Sequence, residues 1–179
     1  MSGHSALNIA NFYIQLVRSF PDDAIDNLKL NKLLYYVQGW SLVRLDRPFF
    51  SDEIQAWEFG PVVPQVYHQF KACGRQPIEE PEDFYDESHF SSDELDLLID
   101  VYRKYGRYTG WALKEMTHKP GSPWANVFVR NQNNVISHAS MKDFFRKDNL
   151  PGFDINTIHL PVVNRVPASW DTEEDAVYD

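Results

Sequence analysis

Histidines, one cysteine and three aromatic-rich strings are the residues of this 179-residue chain whose types lend themselves to chemistry. His4, His68, His89, His118, His138 and His159 never pair at the three- or four-residue spacing that sets two imidazoles on one helical face, and no His-Glu-x-x-His string occurs. No metal is therefore expected. A glycine-rich phosphate loop and a Gly-x-Ser-x-Gly elbow are both missing, so neither a nucleotide cofactor nor a serine nucleophile is expected. Cys73 precedes Gly74 at a predicted helix end, where no helix N-terminus activates a thiol, and it reads as a packed side chain. One cysteine also excludes an internal disulfide framework.

Three constellations remain. Lys32-Leu33-Leu34-Tyr35-Tyr36 joins a cation to two phenols on a helix, where aromatics most often serve the core. Trp57-Glu58-Phe59-Gly60-Pro61-Val62 sets two large rings and an acid before a rigid turn. Such a turn is either a corner locked on the core or an interaction site, because Trp and Tyr carry a disproportionate share of binding energy. Thr117-His118, followed by Pro120, Pro123 and Trp124, holds an imidazole at a loop, where capping or core packing competes with catalysis. A nucleophile–base pair does not follow from spacing alone.

The elements that must position these residues are mainly helical. Ile9, Phe12, Tyr13, Leu16, Val17 and Phe20 recur at helical spacing between Ser5, a capping residue, and Pro21, a stop. A second helix is predicted from Asn27 to Val43, and its wide apolar face marks it as central. Over 53–63 the period changes, predicting a short strand near 53–60 before Gly60-Pro61. Pro64 opens a third helix that ends at Gly74. Ser91 and Glu94 form a capping box, with Phe90 and Leu95 at the positions of a hydrophobic staple. The helix they start is expected to bury Leu95, Leu98, Ile99 and Tyr102. Shorter helices are predicted over 109–116, from Trp124 and over 137–147. The expected fold is a mainly α bundle of six to seven helices with a short strand element and an extended C-terminal segment. Residues 1–148 would form the domain and 149–179 an extension with an acidic tip.

Charge narrows the partners. The net charge is −9, with six acids and no base in 79–87 and five acids and no base in 171–179. Elsewhere 17 bases face 15 acids. With no basic stripe along the chain, direct nucleic-acid binding is not expected. Glu79, Glu80, Glu82 and Asp83 either solubilise a linker or steer a basic partner. No apolar run reaches the ~20 residues of a membrane span, and no signal peptide is legible, so a soluble cytoplasmic protein is expected.

The strings LKLNKLLYYVQGWSLV (28–43), PFFSDEIQAWEFGPVVPQVYHQF (48–70), YGRYTGWALKEMTHKPGSPW (105–124) and VISHASMKDFF (135–145) resemble, in order, the motifs of the Panacea domain, the SocA-like antitoxin family. The resemblance spans residues 5–147. It implies a mainly helical antitoxin of a bacterial or phage toxin–antitoxin pair that neutralises a cognate protein toxin by direct contact. In the SocA type it also implies an adaptor that delivers the toxin to a ClpXP-type protease. Matching positions are Lys32, Leu33, Tyr35, Trp57, Glu58, Gly60, Pro61, Val62, His118, Pro123 and Trp124. Trp57, Glu58, Gly60, Pro61, Val62, His118 and Trp124, with the four acids of the linker, are the candidate partner-binding residues. The competing reading is a small enzyme acting through His118 with Glu58 or Tyr36.

Overall fold

The computed structural model describes residues 3–150; the extended segment and acidic tip expected beyond Leu150, with His159, lie outside the described residues. Ser5 caps α1 (Ala6–Arg18) through a reciprocal pair in which its hydroxyl accepts from the Asn8 backbone and Asn8 Oδ1 accepts from the Ser5 N–H. Helix α2 (Asn27–Arg44) starts from an Asp26 cap. A hairpin of β1 (Gln55–Trp57) and β2 (Gly60–Val62) leads to α3 (Pro64–Phe70), with Pro64 in its first turn and a 3-10 turn, Lys71–Cys73, beyond it. A second 3-10 turn, Glu87–His89, precedes α4 (Ser92–Tyr105). Helices α5 (Gly110–Thr117), α6 (Pro123–Val127) and α7 (His138–Phe145) complete seven α-helices among the described residues.

Helix α2 is the axis. It packs on α1, α3, α4, α5, α7 and β2, and every residue from Lys29 to Leu42 is buried. A helix enclosed on all sides loses the polar stripe of a surface helix, so its buried polar side chains must find partners inside. Gln38 takes the Phe49 N–H on Oε1 (2.8 Å) and donates to the Phe50 carbonyl (2.8 Å). Ser41 donates to the Arg47 carbonyl, and Asn31 Oδ1 accepts from the Val63 N–H. These groups fasten the loop after α2 and the exit of the hairpin. At Gly39 the Phe145 ring lies where a Cβ would stand, 2.4 Å away, so glycine is what lets α7 close on the axis.

The capping box of α4 forms as expected: Ser91 Oγ accepts from the Glu94 N–H and Glu94 Oε2 from the Ser91 N–H. The buried face differs in part. Leu97, Leu98, Val101 and Tyr105 point inward, while Leu95, Ile99 and Tyr102 are half-buried at its margin. The expected short strand element is a two-stranded hairpin, with Trp57 opposite Gly60. Its outer side is also occupied, because the Ala56 N–H donates to the Asn134 carbonyl and the Ile136 N–H to the Ile54 carbonyl.

Candidate interaction surface

The Gly60–Val62 half of the hairpin is held from beneath by Lys32. This fully buried lysine donates from Nζ to the Pro61 carbonyl at 3.0 Å. Pro61 has no N–H for a ladder, so its carbonyl is what fixes it. Gly60 sits at φ +103°, and a Cβ there would stand 2.7 Å from Lys32 Cε and 2.8 Å from Thr117 Oγ1. Glycine is required both by backbone and by space. Burial pushes the Lys32 amine down to about 7, opposed by Asp26 and reinforced by Lys114.

On the opposite arm, Trp124 Nε1 donates to the Trp57 carbonyl at 2.7 Å. The ring of Trp124 is sandwiched, with His118 stacked at 3.6 Å and Phe128 at 4.5 Å. Ser122 builds this corner, capping α6 through the Ala125 N–H and donating to the Thr117 carbonyl. His118 closes α5, and its Nε2 is buried without a hydrogen-bond partner. Burial first, then Lys114 and Lys32, lower its pKa to about 4. The imidazole is thus a neutral flat ring at neutral pH. Glu58 instead pairs at the surface with Arg130 (2.6 Å), and Tyr36 stacks on Tyr105 at 3.7 Å. Among the described residues no hydrogen bond joins His118 to either.

The structure therefore gathers Trp57, Glu58, Gly60, Pro61, Val62, His118 and Trp124 into one assembly with two layers. Gly60, Pro61, Val62 and Trp124 are buried supports, while Trp57 and Phe59 are half-exposed and Glu58 is exposed. A cleft of about 60 Å³ opens beside the turn, lined by Trp57, Glu58, Phe59, Phe128, Arg130, Asn131 and Asn133. Val129 and Val135, each 47% exposed, lie in the same stretch of chain as its Phe128–Asn133 wall. On its other flank Phe59 meets Trp111 at 6.1 Å, and the Lys114 ammonium lies 4.3 Å over the Trp111 ring. Phe128 and Trp111 were not singled out from sequence, whereas Phe59 was noted as the second large ring before the turn but not placed among the candidate contact residues.

The four acids of the linker belong to a different part of the surface. Residues 78–90 form a strap across α1: the Ile78 N–H donates to the Ile25 carbonyl, the Glu82 N–H to Asn11 Oδ1 and the Tyr85 N–H to Gln15 Oε1. Glu79, Glu80, Glu82 and Asp83 are on it, Glu80 pairs with Arg18 at 2.8 Å, and Phe84 stands 67% exposed among them. The strap ends on a buried network in which His4 bonds Tyr85 and Glu94, and Glu94 also accepts from Arg47 at 2.7 Å. Burial raises the Glu94 pKa, but Arg47, the Ser91 N–H and His4 outweigh it and bring it to about 2. Sequence reading missed Asn11 and Gln15, whose four-residue spacing on the polar side of α1 was their signal.

Fold and surface together define a mainly α domain built around one enclosed helix, which displays a β-hairpin faced with aromatic rings. The chain belongs to the SocA-like antitoxin family: the family model described as "Antitoxin SocA-like, Panacea domain" matches residues 30–125, a span that holds Lys32, the hairpin, the strap, His118 and Trp124. It is 34% identical over 169 residues to a protein named Antitoxin SocA from Caulobacter vibrioides, covering 87% of this chain and 84% of that protein. No solved structure matches it. Among the described residues no helix is long and apolar enough to cross a membrane.

Proposed function

We propose that this protein is a bacterial cytoplasmic antitoxin that neutralises a cognate protein toxin by binding it, without catalysis. The observation that carries this reading is the likeness to Antitoxin SocA along most of both chains, together with a family match that spans the hairpin and its supports. The face offers what a protein partner needs. Half-exposed rings of Trp57, Phe59 and Phe128 supply apolar area at small entropy cost, and a buried frame holds them in place. Trp57, Glu58 and the neighbouring rings make the contact; Gly60, Pro61, Val62, His118 and Trp124 act by holding the face. The acids of the strap steer a basic toxin surface during approach.

Co-expression with the toxin tests this. Growth arrest by the toxin alone, relieved by this chain, with a complex recovered on purification, is the expected result. Phe59→Ala and Trp57→Ala should each weaken the complex by about 2 kcal/mol if they are anchors. Relief accompanied by disappearance of the toxin, with no stable complex, would replace neutralisation with delivery to a ClpXP-type protease. No relief at all would overturn the antitoxin reading.

A further inference from the structure

The hairpin has two edges, and they end differently. On one side, β2 turns the backbone of Pro61 away from β1. Proline has no N–H to offer, and the Pro61 carbonyl is taken by Lys32 at 3.0 Å, so this edge is closed to a further strand. On the other side, β1 meets residues 134–136 through an antiparallel bridge of Gln55 with Val135. Its two bonds come from the flanking residues, the Ala56 N–H to the Asn134 carbonyl and the Ile136 N–H to the Ile54 carbonyl, each at 2.8 Å. In an antiparallel ladder that pattern makes Gln55 and Val135 a non-hydrogen-bonded pair, whose own N–H and C=O groups point away from each other. Those of Gln55 turn toward Val62 of β2. Those of Val135 turn outward, and they make no hydrogen bond among the described residues.

An unpaired edge is a template for another extended chain, and natural folds blunt such edges with proline, charge or cover. This one carries none of the first two: residues 131–137 hold no proline and no charged side chain. Val135 is 47% exposed, and Asn133 and Ser137, next along the same outward row, are exposed as well. We propose that an extended segment of the toxin adds to this edge as a further strand, its backbone bonding the Val135 N–H and C=O and one of its side chains entering the cleft beside the turn. The inference rests on the antitoxin reading and gives that contact its geometry. Asn133, two residues before Val135, lines the cleft together with Trp57, Phe59 and Phe128, so edge and aromatic face run into one another. Backbone bonds supply affinity whatever the partner's sequence, and the cleft selects the side chain. A second copy of this chain fits less well. The edge is short, between Asn133, whose φ of +50° ends it, and Ser137, which caps α7. A two-fold pairing centred there would have Val135 and Val129 for its apolar core, far short of the roughly 20–30 residues a side of a stable interface. A toxin strand instead shares its contact with the rings of the hairpin face.

Val135→Pro removes the outward donor without breaking a bond inside the fold, because an edge strand tolerates proline where its N–H faces solvent. The probe is the protein encoded beside this chain's gene. In calorimetric titrations Val135→Pro should weaken the complex by about tenfold, and Val135→Ala, which keeps the N–H, by less than about threefold. Equal effects of the two overturn the proposal. Amide exchange, followed by NMR on the labelled wild-type chain, does not depend on the proline variant folding. The Val135 amide should exchange fast in the free chain and slow by about tenfold or more in the complex, while the Ile136 amide, bonded to Ile54, is slow in both. A Val135 amide that is slow already in the free chain, or still fast in the complex, overturns the proposal, while the complex itself upholds the antitoxin reading. A dimer of the free chain that Val135→Pro abolishes overturns it too, by giving the edge to a second copy. Absence of any complex sinks the antitoxin reading, and this contact with it.

Discussion

Lys32 and His118 are basic groups that the fold keeps from their usual charge, and each leaves a signature in how stability varies with pH. The Lys32 pKa falls from 10.5 to about 7 on folding. Below about 7 both states hold the proton and the burial cost is felt in full. Between about 7 and 10.5 the unfolded chain holds it while the folded one has released it, so this group makes stability fall as pH drops toward 7 and rise as pH climbs toward 10.5. Lys32→Met removes that dependence: the unfolding temperature of wild type should lose ground to that of the variant from pH 9.5 down to pH 7, in parallel thermal melts. For His118 the folded pKa is about 4 against 6.5. Its contribution is fully present above 6.5 and is lost as pH falls toward 4, because the unfolded chain then binds a proton that the folded one refuses. His118→Phe keeps a flat ring on Trp124 and should spare about 1 kcal/mol of that acid loss, a figure reduced for the partial exposure of the ring. Glu94, at about 2, stays ionised through this window.

At the scale of elements, helix starts were the most legible part of the chain because a cap is a local bargain between side chain and backbone. Ser5, Ser91 and Thr109 each cap the helix that begins after them. Ser91→Ala should cost about 1 kcal/mol, read by chemical denaturation, since it leaves the Glu94 N–H without its acceptor. Which face of a helix is buried was less legible. Leu95, Leu97, Leu98, Ile99 and Val101 crowd α4 with apolar residues on more than one side, and only the position of α2 decides among them. The hairpin was half legible. Gly60-Pro61 announced a turn, but the pairing with 134–136 joins segments about 80 residues apart and no local pattern encodes it. Gly60→Ala should destabilise by more than about 1 kcal/mol, through the positive φ and the collision with Lys32 and Thr117. It should also weaken the toxin complex while Ser91→Ala leaves it unchanged, as titrations of the two purified variants would show.

At the scale of the molecule, among the described residues, exposed acids gather on the strap across α1, while Lys104, Lys142, Arg146 and Lys147 make a basic end where α4 and α7 finish. Composition reported only the sum, −9, and the acidic runs; the basic end stayed hidden because it is assembled from separate helix ends. Replacing Glu79, Glu80, Glu82 and Asp83 together by Ala should slow association with a basic toxin several-fold at low salt and flatten its salt dependence, in stopped-flow mixing. Dissociation should change little, since exposed acids act mainly on encounter. The hairpin is gripped differently. Trp124 and Lys32 take hold of the carbonyls of Trp57 and Pro61, so these two anchors read backbone and not side-chain identity. Glu58, exposed at the tip and paired across the surface with Arg130, can therefore be exchanged while both anchors stay in place. Mutation can explore the tip while the molecule stays folded, so, on the antitoxin function proposed above, a lineage of such proteins is able to change the toxin it recognises without passing through unstable ancestors.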